Sequence, residues 1–147
     1  MKHFPVEHVE PSIPFLYEVW NWVGDTSILP IKWLEFLHRA DSNRFGHLTR
    51  EQLLSNYVTQ PNFDPYGFFF ITNRSDVAAA VLVWPTSGEE CEMREFAVAE
   101  KHRDKGVGEA LVDLAHNYAL SKGFRCVVCD PGPCEFTANL LRTRGYN

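Results

Sequence analysis

The chain has 147 residues, of which 45% are hydrophobic and 22% charged, and its 14 Lys+Arg against 19 Asp+Glu give a net charge of −5. That length buries roughly 70% of the surface an unfolded chain exposes, so a single domain over residues 1–147 is expected, held by neither a disulfide framework nor a metal. The longest apolar run, Val77 to Trp84, is far short of the ~20 residues of a membrane span, no basic-then-apolar leader opens the sequence, and the acidic balance disfavours a nucleic-acid binder. With four cysteines in the last third, the expectation is a reduced, cytoplasmic protein with no membrane or nucleic-acid partner.

His3 to Val9 alternate as a first strand would, and Pro11 stops it. Phe15, Val19, Trp22 and Val23 then share a face at helical spacing, as do Ile31, Leu34 and Leu37 in a segment opening at Pro30. Thr49 followed by Gln52 is a capping box for a third helix carrying Leu53, Leu54, Tyr57 and Val58, which Pro61 ends. From Gly67 the period changes. Phe68 to Thr72, Val77 to Trp84 and Cys91 to Val98, separated by turn residues, read as an antiparallel meander. A long amphipathic helix follows from Val107 to Lys122, closed by Gly123, and then the apolar strand Phe124 to Cys129, suited to burial beside a parallel neighbour. Strand, helix and strand make a right-handed crossover, and a last helix runs from about Cys134 to Arg142. The fold class is α+β, a mixed sheet with helices on both faces.

The segment between the third meander strand and the long helix carries the chemistry. It is Arg103-Asp104-Lys105-Gly106-Val107-Gly108, preceded by Phe96-Ala97-Val98 and by Lys101-His102. Unpaired N–H groups of the helix's first turn, glycines that admit close approach, and a helix dipole together make an anion cradle suited to a pyrophosphate. The Walker pattern is excluded because Gly108 is followed by Glu109-Ala110, and the dinucleotide fingerprint because Leu111 stands where its third glycine should be.

Arg-x-x-Gly-x-Gly in this context resembles the coenzyme A pyrophosphate loop of the GNAT superfamily of acyl-CoA-dependent N-acyltransferases. The resemblance implies acetyl-CoA as cosubstrate, with the pantetheine arm along Phe96, Ala97 and Val98. The pyrophosphate would sit on Arg103, Asp104, Lys105, Gly106, Val107 and Gly108, with Glu109 opening the helix and Asn139 hydrogen-bonding the coenzyme. It further implies that an amine, small or peptide-borne, attacks the thioester directly in a ternary complex, with Glu92 as general base. Strand alternation puts Glu92 on one face with Arg94, Phe96 and Val98, opposite Glu95, unless a bulge breaks the parity. Many relatives protonate the leaving thiolate with a tyrosine in the last helix. Leu141 holds that place here, and Cys134 and Asn139 are the neighbouring candidates for the role. An alternative is a non-catalytic acyl-CoA-binding or regulatory module.

Other residues have plainer readings. Cys126 and Cys129 lie three apart on a strand, pointing to opposite faces, so no metal site is expected. Of the six histidines, His102 is placed near the loop and the rest at the surface. Trp20, Trp22 and Trp33 are read as core packing before an acceptor pocket, and the turn at Pro61 to Gly67 as a place for an acceptor loop. The family's fold continues past the last helix with two strands that flank the strand here at Phe124 to Cys129. The expectation is therefore a truncated product, or a flank covered by the N-terminal region or by a second copy in a homodimer.

Overall fold

The computed structural model describes residues 1–24 and 27–147. Its six strands are β1 (Lys2–His3), β2 (Tyr17–Asn21), β3 (Phe68–Asn73), β4 (Asp76–Pro85), β5 (Glu90–Val98) and β6 (Cys126–Cys129), in the sheet order β1-β6-β5-β4-β3-β2. Every neighbouring pair is antiparallel except β5 and β6, which run parallel and are joined through α4 (Val107–Ser121). The remaining helices are α1 (Leu29–Ala40), α2 (Ser42–Phe45), α3 (Arg50–Leu53) and α5 (Glu135–Thr143).

The two faces of the sheet are packed differently. On one face Met93, Phe96, Val98 and Val127 of the sheet pack with Leu111 of α4 and Leu141 of α5, and Ala110, Ala115 and Ala119 let α4 approach closely. On the other face large rings pack together, among them Trp33 and Phe36 of α1 with Phe45, Tyr57, Phe68 and Trp84. The meander, the long helix and the last helix match the sequence pattern within one or two residues at their ends, the usual scatter of helix and strand boundaries. The capping box is present, with Gln52 N–H donating to Thr49 Oγ1 at 3.2 Å and Thr49 N–H to Gln52 Oε1 at 2.9 Å. The helix it opens does not stay α-helical. Its continuation, Leu54–Val58, is a π-turn.

Three expectations are corrected. The segment Phe15 to Val23 is not a helix, because Tyr17–Asn21 pairs along its full length with β3, and a strand buried on one face suits its alternation better than a lone amphipathic turn. Of the first predicted strand, His3 to Val9, only His3 is paired, together with Lys2 before it. Residues 4–16 join no strand, and Val9 is tied to α4, where Asn117 accepts from Val9 N–H at 2.9 Å and donates to its carbonyl at 2.6 Å. Finally, the flank of β6 is not open to a second copy. β1 occupies it, Lys2 facing Val128 and His3 facing Val127, and Lys2 and Asn147 exchange backbone hydrogen bonds at 2.9 and 3.1 Å. Of the coverings considered for that flank, the N-terminal region supplies it.

Candidate active site

The loop after β5 begins with a single 3-10 turn, Glu100–His102, and Asp104 (φ 61°) and Gly106 (φ 85°) then take the left-handed backbone region. Gly106 is the N-cap of α4 and offers no side chain to the first turn, so that turn's amides are not capped from within. Gly108 meets a different constraint. A Cβ there would stand 2.3 Å from Leu140 Cδ1 and 3.2 Å from Val98 Cγ2, so its lack of a side chain brings β5, α4 and α5 together beneath the cradle.

The three cations expected at this loop are not equivalent. Lys101 Nζ lies 3.0 Å from Asp76 Oδ2 and is neutralised by it. Arg103 turns inward, donating from Nε to the Val98 carbonyl at 3.2 Å with its guanidinium 5.0 Å from the Phe136 ring centre. Lys105 is exposed and has no ion pair among the described residues. Glu109 adds an acid to the first turn of α4. Asn139 is exposed on α5 and its Oδ1 accepts from Arg142 at 2.9 Å. Leu141 is fully buried.

His102 is buried, and sequence reasoning gave no sign of its partners. The Asp76 carboxylate, 2.7 Å from Nε2, can only accept, so Nε2 carries a proton, and on the other side of the ring Nδ1 shares a hydrogen bond with the Tyr17 hydroxyl at 2.8 Å. The hydrogen bond from His102, with Lys101 and Arg39 behind it, holds the Asp76 carboxyl below the ordinary carboxylate range despite partial burial. The relay ties the start of the loop to β2 and β4.

Next to the loop the sheet parts. β5 keeps register with β6 only from Glu90 to Met93, opposite Cys126 to Cys129. Past Met93 it bulges, with the β4 register slipping between Ala80 and Leu82 and Glu95 held at φ 53°. The bulge overturns the simple parity. Arg94 and Glu92 oppose Leu82 and Trp84 on the α1 face, whereas Phe96 and Val98 pack on the α4 face.

Two recesses open where the strands separate. One, almost closed at about 10 Å³, runs between Phe96–Ala97–Val98 and the start of α5, past Arg103, Cys134 and Thr137. The other is a cleft of about 230 Å³ on the α1 face, lined by Tyr57, Glu92, Arg94, Glu95 and Asp130. Arg44 lines both, its Nη2 donating to the Asp130 carbonyl at 2.9 Å. In the cleft, Arg94 Nε donates to Glu92 Oε2 at 3.1 Å and the Tyr57 hydroxyl donates to Glu95 Oε1 at 3.0 Å. Burial first, and the Glu95 charge second, push the Tyr57 hydroxyl well above the ordinary tyrosine range, so it stays a donor.

The other candidates fall elsewhere. Trp33 is core, Trp20 is half-exposed with Nε1 donating to Thr72, and the turn at 61–67 is anchored by Asp64, which accepts from the Tyr118 hydroxyl and the Tyr66 amide. Contrary to the surface placement, His116 is buried as well as His102. No metal-ligand cluster is found among the described residues, and none of the helices there is long and apolar enough to cross a membrane.

With this geometry in hand, comparison with known proteins adds three findings. A family model described as acetyltransferase (GNAT) family matches residues 30–146. Among solved structures, a GCN5-related N-acetyltransferase from Sphaerobacter thermophilus superposes with a TM-score of 0.71 at 17% identity, over 95% of this chain but only 45% of its own length. The ribosomal-protein-S18-alanine N-acetyltransferase of Escherichia coli gives 0.68 at 17% identity over 89% of this chain and 77% of its own. A GNAT family acetyltransferase from Elizabethkingia anophelis, solved with acetyl-CoA bound, gives 0.60 at 19% identity over 88% of this chain and 74% of its own. No curated protein matches the sequence.

Proposed function

We propose, from the premise that the chain belongs to the acetyltransferase (GNAT) family, that it transfers an acetyl group from acetyl-CoA to a primary amine by direct attack in a ternary complex. Acetyl-CoA is the acyl donor of this family. The observation that carries the reading is the adjacency of two features: a glycine-built, uncapped N-terminus on α4, and a sheet that opens immediately before it. The residues fit the donor. Amides around Gly106 and the exposed cation Lys105 suit a pyrophosphate, and Phe96 to Val98 line the recess that Arg103 also borders.

The amine enters from the cleft on the α1 face. Holding amine and thioester in one geometry removes the entropy of their encounter, and the carboxylates Glu92 and Glu95 stand where an ammonium would lose its proton. The amine nitrogen forms the C–N bond as the C–S bond breaks, and the thiolate leaves with the electron pair. Of the three ammonium protons, one goes to a cleft carboxylate before attack, a second goes to the sulfur, and the third stays on the amide nitrogen. Leu141, buried in the core, offers no proton to that thiolate, and this favours a second reading as an acyl-CoA-binding module without turnover.

Calorimetric titration with acetyl-CoA, followed by thiol release on incubation with a panel of small and peptide amines, tests both. Binding together with thiol release supports the acetyltransferase. Binding without release by any amine supports the module, and no binding at millimolar acetyl-CoA ends both readings.

A further inference from the structure

Within the cleft the two carboxylates are not equivalent. Glu92 lies inside the stretch of β5 still paired on both sides, opposite Val128 of β6 and Trp84 of β4, and one of its oxygens is held by Arg94. Glu95 lies past the last β5–β6 pair, at the opening itself, and makes no ion pair among the described residues. It is also the more costly to place. A non-glycine residue at φ 53° is strained, and a strand has no need of it.

A second irregularity meets it from the other side. The π-turn Leu54–Val58 interrupts the helix opened by the capping box, and it carries Tyr57, whose hydroxyl donates to Glu95 Oε1. The phenol ring is wedged between Trp33 and Trp84, with ring centres 5.5 and 5.2 Å away, so its hydroxyl has little freedom to turn elsewhere. π-turns and bulges concentrate at functional sites because they re-aim side chains at the expense of backbone regularity. Here two of them converge on one hydrogen bond at the mouth of the opening.

We infer that Glu95, aimed by Tyr57, is the group that accepts the proton of the attacking ammonium, which deepens and rests on the acetyltransferase reading above. The ammonium gives one proton to the Glu95 carboxylate. The freed lone pair forms the C–N bond, sulfur leaves with the C–S electron pair and takes the second amine proton, and the Glu95 carboxylic acid returns its proton to water. Glu95 is a catalytic residue in this scheme and Tyr57 a positioning residue that acts only through it.

The test uses the full chain with acetyl-CoA and an amine that gives thiol release with the wild type. Glu95→Gln is expected to lower kcat about 100-fold, the lower range for loss of a general base, with acetyl-CoA affinity within twofold. Glu92→Gln is expected to cost less than tenfold. Glu95→Gly relieves the backbone strain but also removes the acceptor of the Tyr57 hydroxyl, and it should lose activity as Glu95→Gln does. Tyr57→Phe is expected to lower kcat about tenfold alone and to add nothing to Glu95→Gln. The inference is overturned if Glu95→Gln retains wild-type kcat, if Glu92→Gln carries the larger loss, or if Tyr57→Phe and Glu95→Gln multiply. Failure of the wild type to bind acetyl-CoA overturns this inference and the acetyltransferase reading together. Undiminished turnover in Glu95→Gln overturns this inference alone.

Discussion

Lowering the pH from 7 to 5 should destabilise the fold through His116. This side chain on α4 is only 7% exposed, its Nε2 is 2.7 Å from the Tyr146 hydroxyl, and the His3 ring stacks 4.7 Å from it. Also beside it is Arg144, which pairs at 3.1 Å with Asp113. Burial first, then the His3 and Arg144 charges, push the imidazole down from 6.5 to about 3. A depressed histidine stays neutral when folded while the unfolded chain takes up the proton, so its stability is present above pH 6.5 and is lost as pH falls toward 3. At pH 5 the unfolded side chain is protonated and the folded one is not, about 1.5 units below the unfolded value, which at 1.36 kcal/mol per unit costs about 2 kcal/mol. For a chain of this size that is about 5 °C in Tm. The assay is thermal or urea unfolding at pH 7 and pH 5, at fixed ionic strength, for the wild type and for His116→Gln. Groups common to both chains, Asp113 among them, drop out of the difference. The wild type should lose about 2 kcal/mol more than the variant. Parallel losses in the two chains would falsify the reasoning.

Gly108→Ala forces a Cβ against Leu140 Cδ1 and should cost about 1–3 kcal/mol by overpacking in urea titrations. Leu140→Ala alone should cost about 2–5 kcal/mol, and the double variant should lose clearly less than the sum because the clashing atom is gone; strict additivity would mean that α5 shifts freely. Thr49→Ala removes one half of the capping box ahead of the π-turn and should cost about 1 kcal/mol, measured the same way, with no change in acetyl-CoA affinity.

Much of the fold was legible because its signals are local. The alternation of Phe68 to Val98, the stripe of α4, the capping box at Thr49 and the glycines at 106 and 108 each depend on residues a few positions apart, and each stands where the pattern put it. β2 was missed for the opposite reason. Phe15, Val19, Trp22 and Val23 satisfy a helical spacing, and only pairing with β3, some fifty residues on, decides for a strand.

The site divides along the same line. The conformation of the loop ahead of α4 is a local property and the sequence determines it, since glycine is the residue that fits both the left-handed backbone at Gly106 and the close approach at Gly108. The rest depends on elements that meet only in three dimensions. Whether Lys101, Arg103 or Lys105 remains free depends on Asp76 and Phe136, and the burial of His102 and His116 depends on Tyr17, Asp76 and Tyr146. The face presented by Glu92 and Glu95 depends on one inserted residue, because strand parity carries a period of two and a single bulge reverses everything after it. Local chemistry thus set the backbone geometry at the N-terminus of α4, and tertiary structure alone decided where Glu92 and Glu95 stand relative to the opening of the sheet.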